Sequence, residues 1–239
     1  MTTSFAALPF DRTAALALID PAVHARPGIA PPTQRCLAAA LAVAIGTGAG
    51  PDEIAAIEAG DLGHDAGIAT VVIGARRSIH GRDAARTVPL LKPVRKAVEA
   101  YMRDRRRYPN EGGLFLWSAA RPVGVADLRT AVAQFARERS LGNAAQIRSA
   151  RLTFAAALMR ARAGEDLIAY LTARGGRARR SSKEADLRLR SPQFVMPLLN
   201  RHHVFGARYD EAARSSASRP AGEGGGLELP GEFDGDVGS

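Results

Sequence analysis

The sequence predicts a mainly α-helical domain with one small antiparallel β-hairpin or sheet. Three observations carry that expectation. Apolar segments at helical spacing recur along most of the chain and are separated by Pro- and Gly-containing turns. A single pair of extended runs, 68–73 and 87–90, flanks the basic, glycine-containing stretch 74–86. Hydrophobic residues make up 46% of 239 positions, enough to bury one substantial core.

Each element follows from local signals. Residues 1–33 hold one short helical stretch, 12–19, and then Pro21, Pro27, Pro31 and Pro32, which together read as an N-terminal segment with a proline-rich linker. Thr33 to Ile45 suits a buried helix, with Thr33 as its N-cap and Gly46 and Gly48 as its stop. Pro51 opens a second helix whose first turn carries Asp52 and Glu53, where the helix dipole favours acids. After the hairpin, 92–107 is amphipathic, with Val94, Val98, Tyr101 and Met102 on one face. Its basic end, Arg103 to Arg107, fits a helix C-terminus better than a DNA reader. Leu114 to Trp117 is a short apolar segment, with Trp117 expected in the core. Helices are expected over 125–139, 144–162 and 164–173, and over part of 184–205 despite Pro192 and Pro197. The acidic, Gly-rich stretch 211–239 has the composition of a disordered tail. The expected organisation is therefore an N-terminal segment 1–33, a folded domain 34–210 and a tail 211–239.

Charge narrows the functional classes. The formal net charge is +9, and residues 211–239 hold six acids against two arginines, so residues 1–210 carry about +13. Only Lys92, Lys96 and Lys183 are lysines; the other cations are arginines. That balance favours a polyanionic partner, while a genome rich in arginine and alanine codons is the competing explanation. The single cysteine, Cys36, excludes an internal disulfide and sits in an apolar run that suits a buried thiol. No apolar run reaches the roughly 18 residues of a membrane span, and the N-terminus lacks a secretory pattern, so a cytoplasmic protein without membrane association is expected. The adjacent His202 and His203 have no Cys or carboxylate ligands beside them in sequence, so they are expected at the surface; no metal and no cofactor are implied.

Four segments fall in an informative order. The first is Thr47-Gly-Ala-Gly-Pro-Asp-Glu-Ile54, followed by Asp61; the second is Arg86-Thr-Val-Pro-Leu90. The third is Arg148-Ser-Ala-Arg-Leu-Thr-Phe-Ala155, and the fourth runs from Gly164 to Arg174, which lies 23 residues after Arg151. In order and spacing they resemble the catalytic domain of the tyrosine recombinases, or phage integrases, whose segments read T-G-[LM]-R-x-[SG]-E-[LI], R-x-V-P-L, H-x-L-R-H-T-F-A and G-x-[DS]-[LI] leading to L-G-H. The resemblance spans roughly residues 34–190 and implies the DNA breaking-rejoining fold.

The resemblance also implies a chemistry that this chain departs from. In the family a tyrosine attacks a DNA phosphate, two arginines and neighbouring His or Lys groups stabilise its oxygens, and a lysine protonates the leaving hydroxyl without a metal. Here Gly50 stands at the first arginine position, Gly81 at the lysine position with His80 and Arg82 beside it, and Arg148 at the first histidine position. Leu152 stands at the second histidine, Arg174 at the usual His or Trp, and Lys183 at the tyrosine. Arg151 is the one catalytic position retained in kind. The expected DNA phosphate contacts are Arg148, Arg151 and Arg174 in the pocket, Arg82 and Arg86 on the hairpin, and Arg177, Arg179, Arg180 and Lys183 beyond.

Three function classes stay open. The leading one is a catalytically degenerate, integrase-like protein, a pseudoenzyme tied to DNA recombination or to integration of a mobile element. Its partners would be double-stranded DNA and either a partner recombinase or another copy of the chain. The second is an active site-specific recombinase with Tyr209 as a displaced nucleophile. The third is a protein-interaction module on the same fold. Against phosphate binding stands the alternative that Arg151 pairs with Glu53 or another acid and the other arginines form a solvated face.

Overall fold

The structure, a computed structural model, describes residues 8–74, 85–106, 113–118, 121–141, 146–172 and 190–210. Helix α1 (Arg12–Leu18) is capped by the Asp11 carboxylate, which accepts the Ala14 N–H at 2.7 Å, and a 3-10 turn at Pro21–His24 is capped the same way by Asp20. Phe10, Ala15, Leu18 and His24 are buried, and the Phe10 N–H donates to the Thr153 hydroxyl at 2.8 Å. Residues 8–24 are therefore part of the core and not a connector. Their prolines break the segment into short turns without lifting its apolar face off the domain.

Helix α2 (Pro31–Thr47) is the centre of the molecule. It is buried on every side from Cys36 to Thr47, as expected of a helix with no polar stripe. Pro31 and Pro32 start it, with Ala30 at the N-cap. Thr33 is not the cap: it lies in the first turn and its hydroxyl donates to the Trp117 carbonyl at 2.8 Å. Gly48 ends the helix in the left-handed region, at φ 68°, with its N–H on the Ala44 carbonyl. Gly46, expected as part of the stop, is helical. A Cβ there would lie 2.5 Å from Val94, so glycine is what lets the next long helix pack this close. Burial pushes the Cys36 thiol up to about 12, and the thiol is buried, as its apolar run implies.

Helix α3 (Pro51–Ala56) follows, and then a three-stranded antiparallel sheet of β1 (Leu62–Asp65), β2 (Ile68–Ile73) and β3 (Arg86–Pro89), in that order. Strands β1 and β2 are joined by Ala66 and Gly67, both at positive φ, the geometry of a tight hairpin turn. The two extended runs expected from sequence are β2 and β3; β1 is an addition. The tip between β2 and β3, residues 75–84, lies outside the described residues, and with it Gly81 and Arg82.

Helix α4 (Lys92–Arg105) packs on α2, and Arg105 and Asp104 at its basic end turn inward. Arg105 donates to the Leu114 and Gly113 carbonyls, and Asp104 pairs with Arg35. A two-stranded ribbon, β4 (Leu116–Ser118) with β5 (Arg121–Pro122), carries Trp117 at the rim of the core, its ring covered by the Arg121 guanidinium at 4.7 Å. Then come α5 (Val125–Glu138), α6 (Ile147–Arg160), α7 (Glu165–Thr172) and α8 (Pro192–His202). The expectation of surface histidines fails for His203. It is fully buried between Phe154 and Phe205, bonds the Ile45 carbonyl through Nε2 at 3.0 Å, and accepts the Phe205 N–H at Nδ1. Among the described residues, no helix is long and apolar enough to cross a membrane.

Candidate functional site

The turn that leaves α2 places Thr47 to Glu53 against the first turns of α6. Gly48 directs the chain out of the core, and Pro51 starts α3 with Glu53 at its third position. The Glu53 carboxylate reaches back to accept the Gly50 N–H at 2.7 Å, half of a capping box. It also accepts two hydrogen bonds from Arg86, at 2.6 and 3.1 Å, and one from Arg151 at 3.1 Å. Burial raises its pKa, but the bonds and charge of Arg86, the Gly50 N–H and the charge of Arg151 outweigh that, and the carboxyl is held below its usual value.

This ion cluster sorts the arginines expected at the site. Arg86 is only 1% exposed and clamped on Glu53, so it lies beneath the site and not on the hairpin surface as a DNA contact. Antiparallel pairing puts it opposite Ile73 in the sheet, which fixes its side chain inward. Arg151 does pair with Glu53, as the alternative reading had it, yet it stays 33% exposed and lines an open cavity. Its Nε donates to the Gly48 carbonyl at 3.1 Å, and among the described residues Nη1 has no partner. Arg148, one turn earlier on the same face of α6, is exposed; its Nε donates to Gln146 at 2.7 Å, and among the described residues its terminal nitrogens have no hydrogen-bond partner.

The cavity these two arginines share has a volume of about 520 Å³. Its walls are the turn from Ala49 to Glu53, Gly74 at the end of β2, Arg129 on α5, and Ile147, Arg148 and Arg151 on α6. The N-terminus of the fourteen-residue α6 adds positive potential at the same place. Asp52 and Glu53 are its acidic members. At Gly50, where the family motif has arginine, a Cβ would sit 3.0 Å from Arg151 Nη2 and 3.5 Å from Glu53 Oε2. A side chain there would need the Arg151 guanidinium to give by a few tenths of an ångström.

Arg129 escaped the sequence reading because it belongs to no motif: the helix was legible, but which of its faces meets the α2–α3 turn is set by tertiary packing. Arg174, Arg177, Arg179, Arg180 and Lys183 lie outside the described residues, as does Arg82. Tyr209 lies at the far end of α6. Its hydroxyl accepts from Arg160 at 3.4 Å, and the Arg160 and Arg12 guanidiniums lie 5.3 and 5.8 Å from its ring centre. Arg148 to Arg160 is about 18 Å of helical rise, so within one molecule this tyrosine is remote from the cavity. A second cavity, about 700 Å³, opens between β1 and α4 and contains none of the motif arginines.

A family model described as the phage integrase family matches residues 25–173. No curated protein matches the chain. Among solved structures, the XerH site-specific recombinase in a post-cleavage complex with palindromic difH substrate is 14% identical with a TM-score of 0.58, over 79% of this chain and 54% of that one. The XerA recombinase is 14% identical with a TM-score of 0.56, over 90% and 67% of the two chains. The Tn1549 transposon integrase in complex with a circular intermediate DNA is 14% identical with a TM-score of 0.54, over 91% and 67%. The chain thus spans about half of the XerH chain. What these likenesses show is the fold, a mainly helical domain with a small antiparallel sheet, as in tyrosine recombinases. With a match that covers more than half of its length, the chain belongs to the phage integrase family.

Proposed function

We propose that this protein binds double-stranded DNA through backbone phosphates at the α6 cavity and does not cleave it. The observation that supports this most directly is the convergence of Arg148 and Arg151 on one open cavity at a helix N-terminus, with Gly50 in the turn facing them. Guanidinium groups pair with phosphate oxygens in a fork geometry, and Arg151 is pre-oriented by Gly48 and Glu53. The XerH and Tn1549 proteins, which share the fold, are bound to DNA in their structures.

Cleavage by the family's route needs a tyrosine at the position Lys183 occupies, an arginine at Gly50 and a lysine at Gly81. Each missing preorganised donor costs about 2.7–4 kcal/mol of transition-state stabilisation, and no covalent phosphotyrosine forms without the tyrosine. Tyr209 in its arginine sandwich is a structural residue. The role that fits is occupancy of DNA in recombination or integration of a mobile element.

The test is duplex binding by fluorescence anisotropy between 50 and 200 mM salt, together with a suicide duplex that traps covalent adducts. Binding should weaken with salt at a slope of about 0.9 per phosphate contact, and no adduct should form. Absence of salt-sensitive binding overturns the DNA reading; an adduct lost in Tyr209→Phe overturns the non-cleaving one.

A further inference from the structure

Gly50 stands where the family motif has its first arginine, and a Cβ there would lie 3.0 Å from Arg151 Nη2, so the turn itself presents no cation to the cavity. The same cavity carries a third guanidinium, Arg129, from helix α5. It is exposed, and its helix α5 packs against both α3 and α6, the two elements that build the rest of the cavity. The nearby acid on its own helix is engaged elsewhere: Asp127 takes two hydrogen bonds from Arg121, at 2.9 and 3.0 Å, and the Gly124 N–H at 2.8 Å. Glu53 is taken by Arg86 and Arg151. Among the described residues, Arg129 has no hydrogen-bond or ion-pair partner. Three cations thus face one opening, and the one with the fewest commitments comes from outside every motif.

We infer that Arg129 supplies, from α5, the phosphate-binding cation that position 50 no longer supplies, so that a DNA phosphate is held between Arg129 of α5 and Arg148 with Arg151 of α6. The inference rests on the DNA-binding reading and adds a residue to that site. Replacement of a turn-borne arginine by a helix-borne one keeps a cation at the opening.

The experiment compares the full chain with Arg129→Gln, Arg129→Lys, Arg148→Gln and the exposed control Arg201→Gln, using one duplex in a salt series. Arg129→Gln should weaken binding about tenfold and flatten the log affinity against log salt slope by about 0.9, one phosphate contact, with an unchanged melting temperature. Arg129→Lys should keep the slope, since lysine keeps the charge, and Arg201→Gln should match the unsubstituted protein. The Arg129→Gln and Arg148→Gln losses should be non-additive when combined, because both act on one phosphate. If Arg148→Gln flattens the slope while Arg129→Gln behaves like the control, the inference is wrong and the DNA reading stands. If the unsubstituted chain shows no salt-sensitive binding, both are wrong.

Discussion

Glu53 has 15% of its side chain exposed and pairs with two guanidiniums, one of which, Arg86, is sealed inside the protein. A buried charge is tolerated only while it is paired and hydrogen-bonded, and removal of one partner leaves the other desolvated and alone. Glu53→Gln should therefore destabilise the protein by about 3 kcal/mol or more, read as a lower midpoint in urea unfolding. A loss below about 1 kcal/mol would mean that Arg86 has another counter-ion. The motif match named Glu53 and Arg151, and their possible pairing was legible, since both types and their places were in the string. The burial of Arg86 was not. R-x-V-P-L reads the same whether its arginine faces solvent or core, and the inward choice is made by strand register, which depends on the pairing with Ile73.

At the scale of elements, the α2 stop makes a paired test possible. Gly48 and Gly28 both have positive φ, at 68° and 81°, but a Cβ on Gly48 would press on Phe154 at 2.8 Å, whereas one on Gly28 meets nothing within 4 Å. Gly28→Ala should cost about 1 kcal/mol, the backbone penalty alone. Gly48→Ala should cost roughly twice that or more, because Phe154 must move within a packed core. Equal losses in thermal unfolding would show that Phe154 yields freely. Most helices were readable from apolar spacing and from their prolines, as Lys92–Arg105 and Val125–Glu138 show against expectations of 92–107 and 125–139. Strand β1 was not, because Leu62-Gly-His-Asp65 has no apolar alternation: it is an edge strand with one half-buried residue, held by register and turn geometry. The α2 start was misplaced because Thr33 resembles an N-cap in sequence, and only the fold shows its hydroxyl committed to Trp117. For the same reason Arg129 was invisible at the site: tertiary packing selects which helix face meets a cavity.

At the scale of the whole molecule, several groups favour neutral pH over acid. Burial, aided by the charge of Arg160 and opposed by the Ile45 carbonyl, lowers the His203 value to about 4; burial also lowers that of His24. A histidine with a lowered folded value is neutral in the fold, while the unfolded chain takes up its proton below about 6.5. The stability it contributes is therefore complete above that point and is lost as pH falls from there to about 4. The depressed Glu53 carboxyl acts in the same direction at lower pH: its contribution is present above about 4.3 and is lost as the pH drops through its folded value. Urea unfolding should show a stability loss on the order of 3 kcal/mol between pH 7 and 4.5, and His203→Asn should flatten that dependence while lowering stability at pH 7. A flat profile in the unsubstituted protein would contradict the buried, neutral imidazole. The same histidine is bonded to Ile45 of α2, and that helix acts as a gauge. From Ala38 to Gly48 it is built mostly of alanine and glycine, so its thin waist sets how near α4 and α6 can draw to it and to one another. A methyl group added at Gly46 would meet Val94 at 2.5 Å, so Gly46→Ala should push α4 away from this central rod and open the core along that seam, read as a lowered melting temperature.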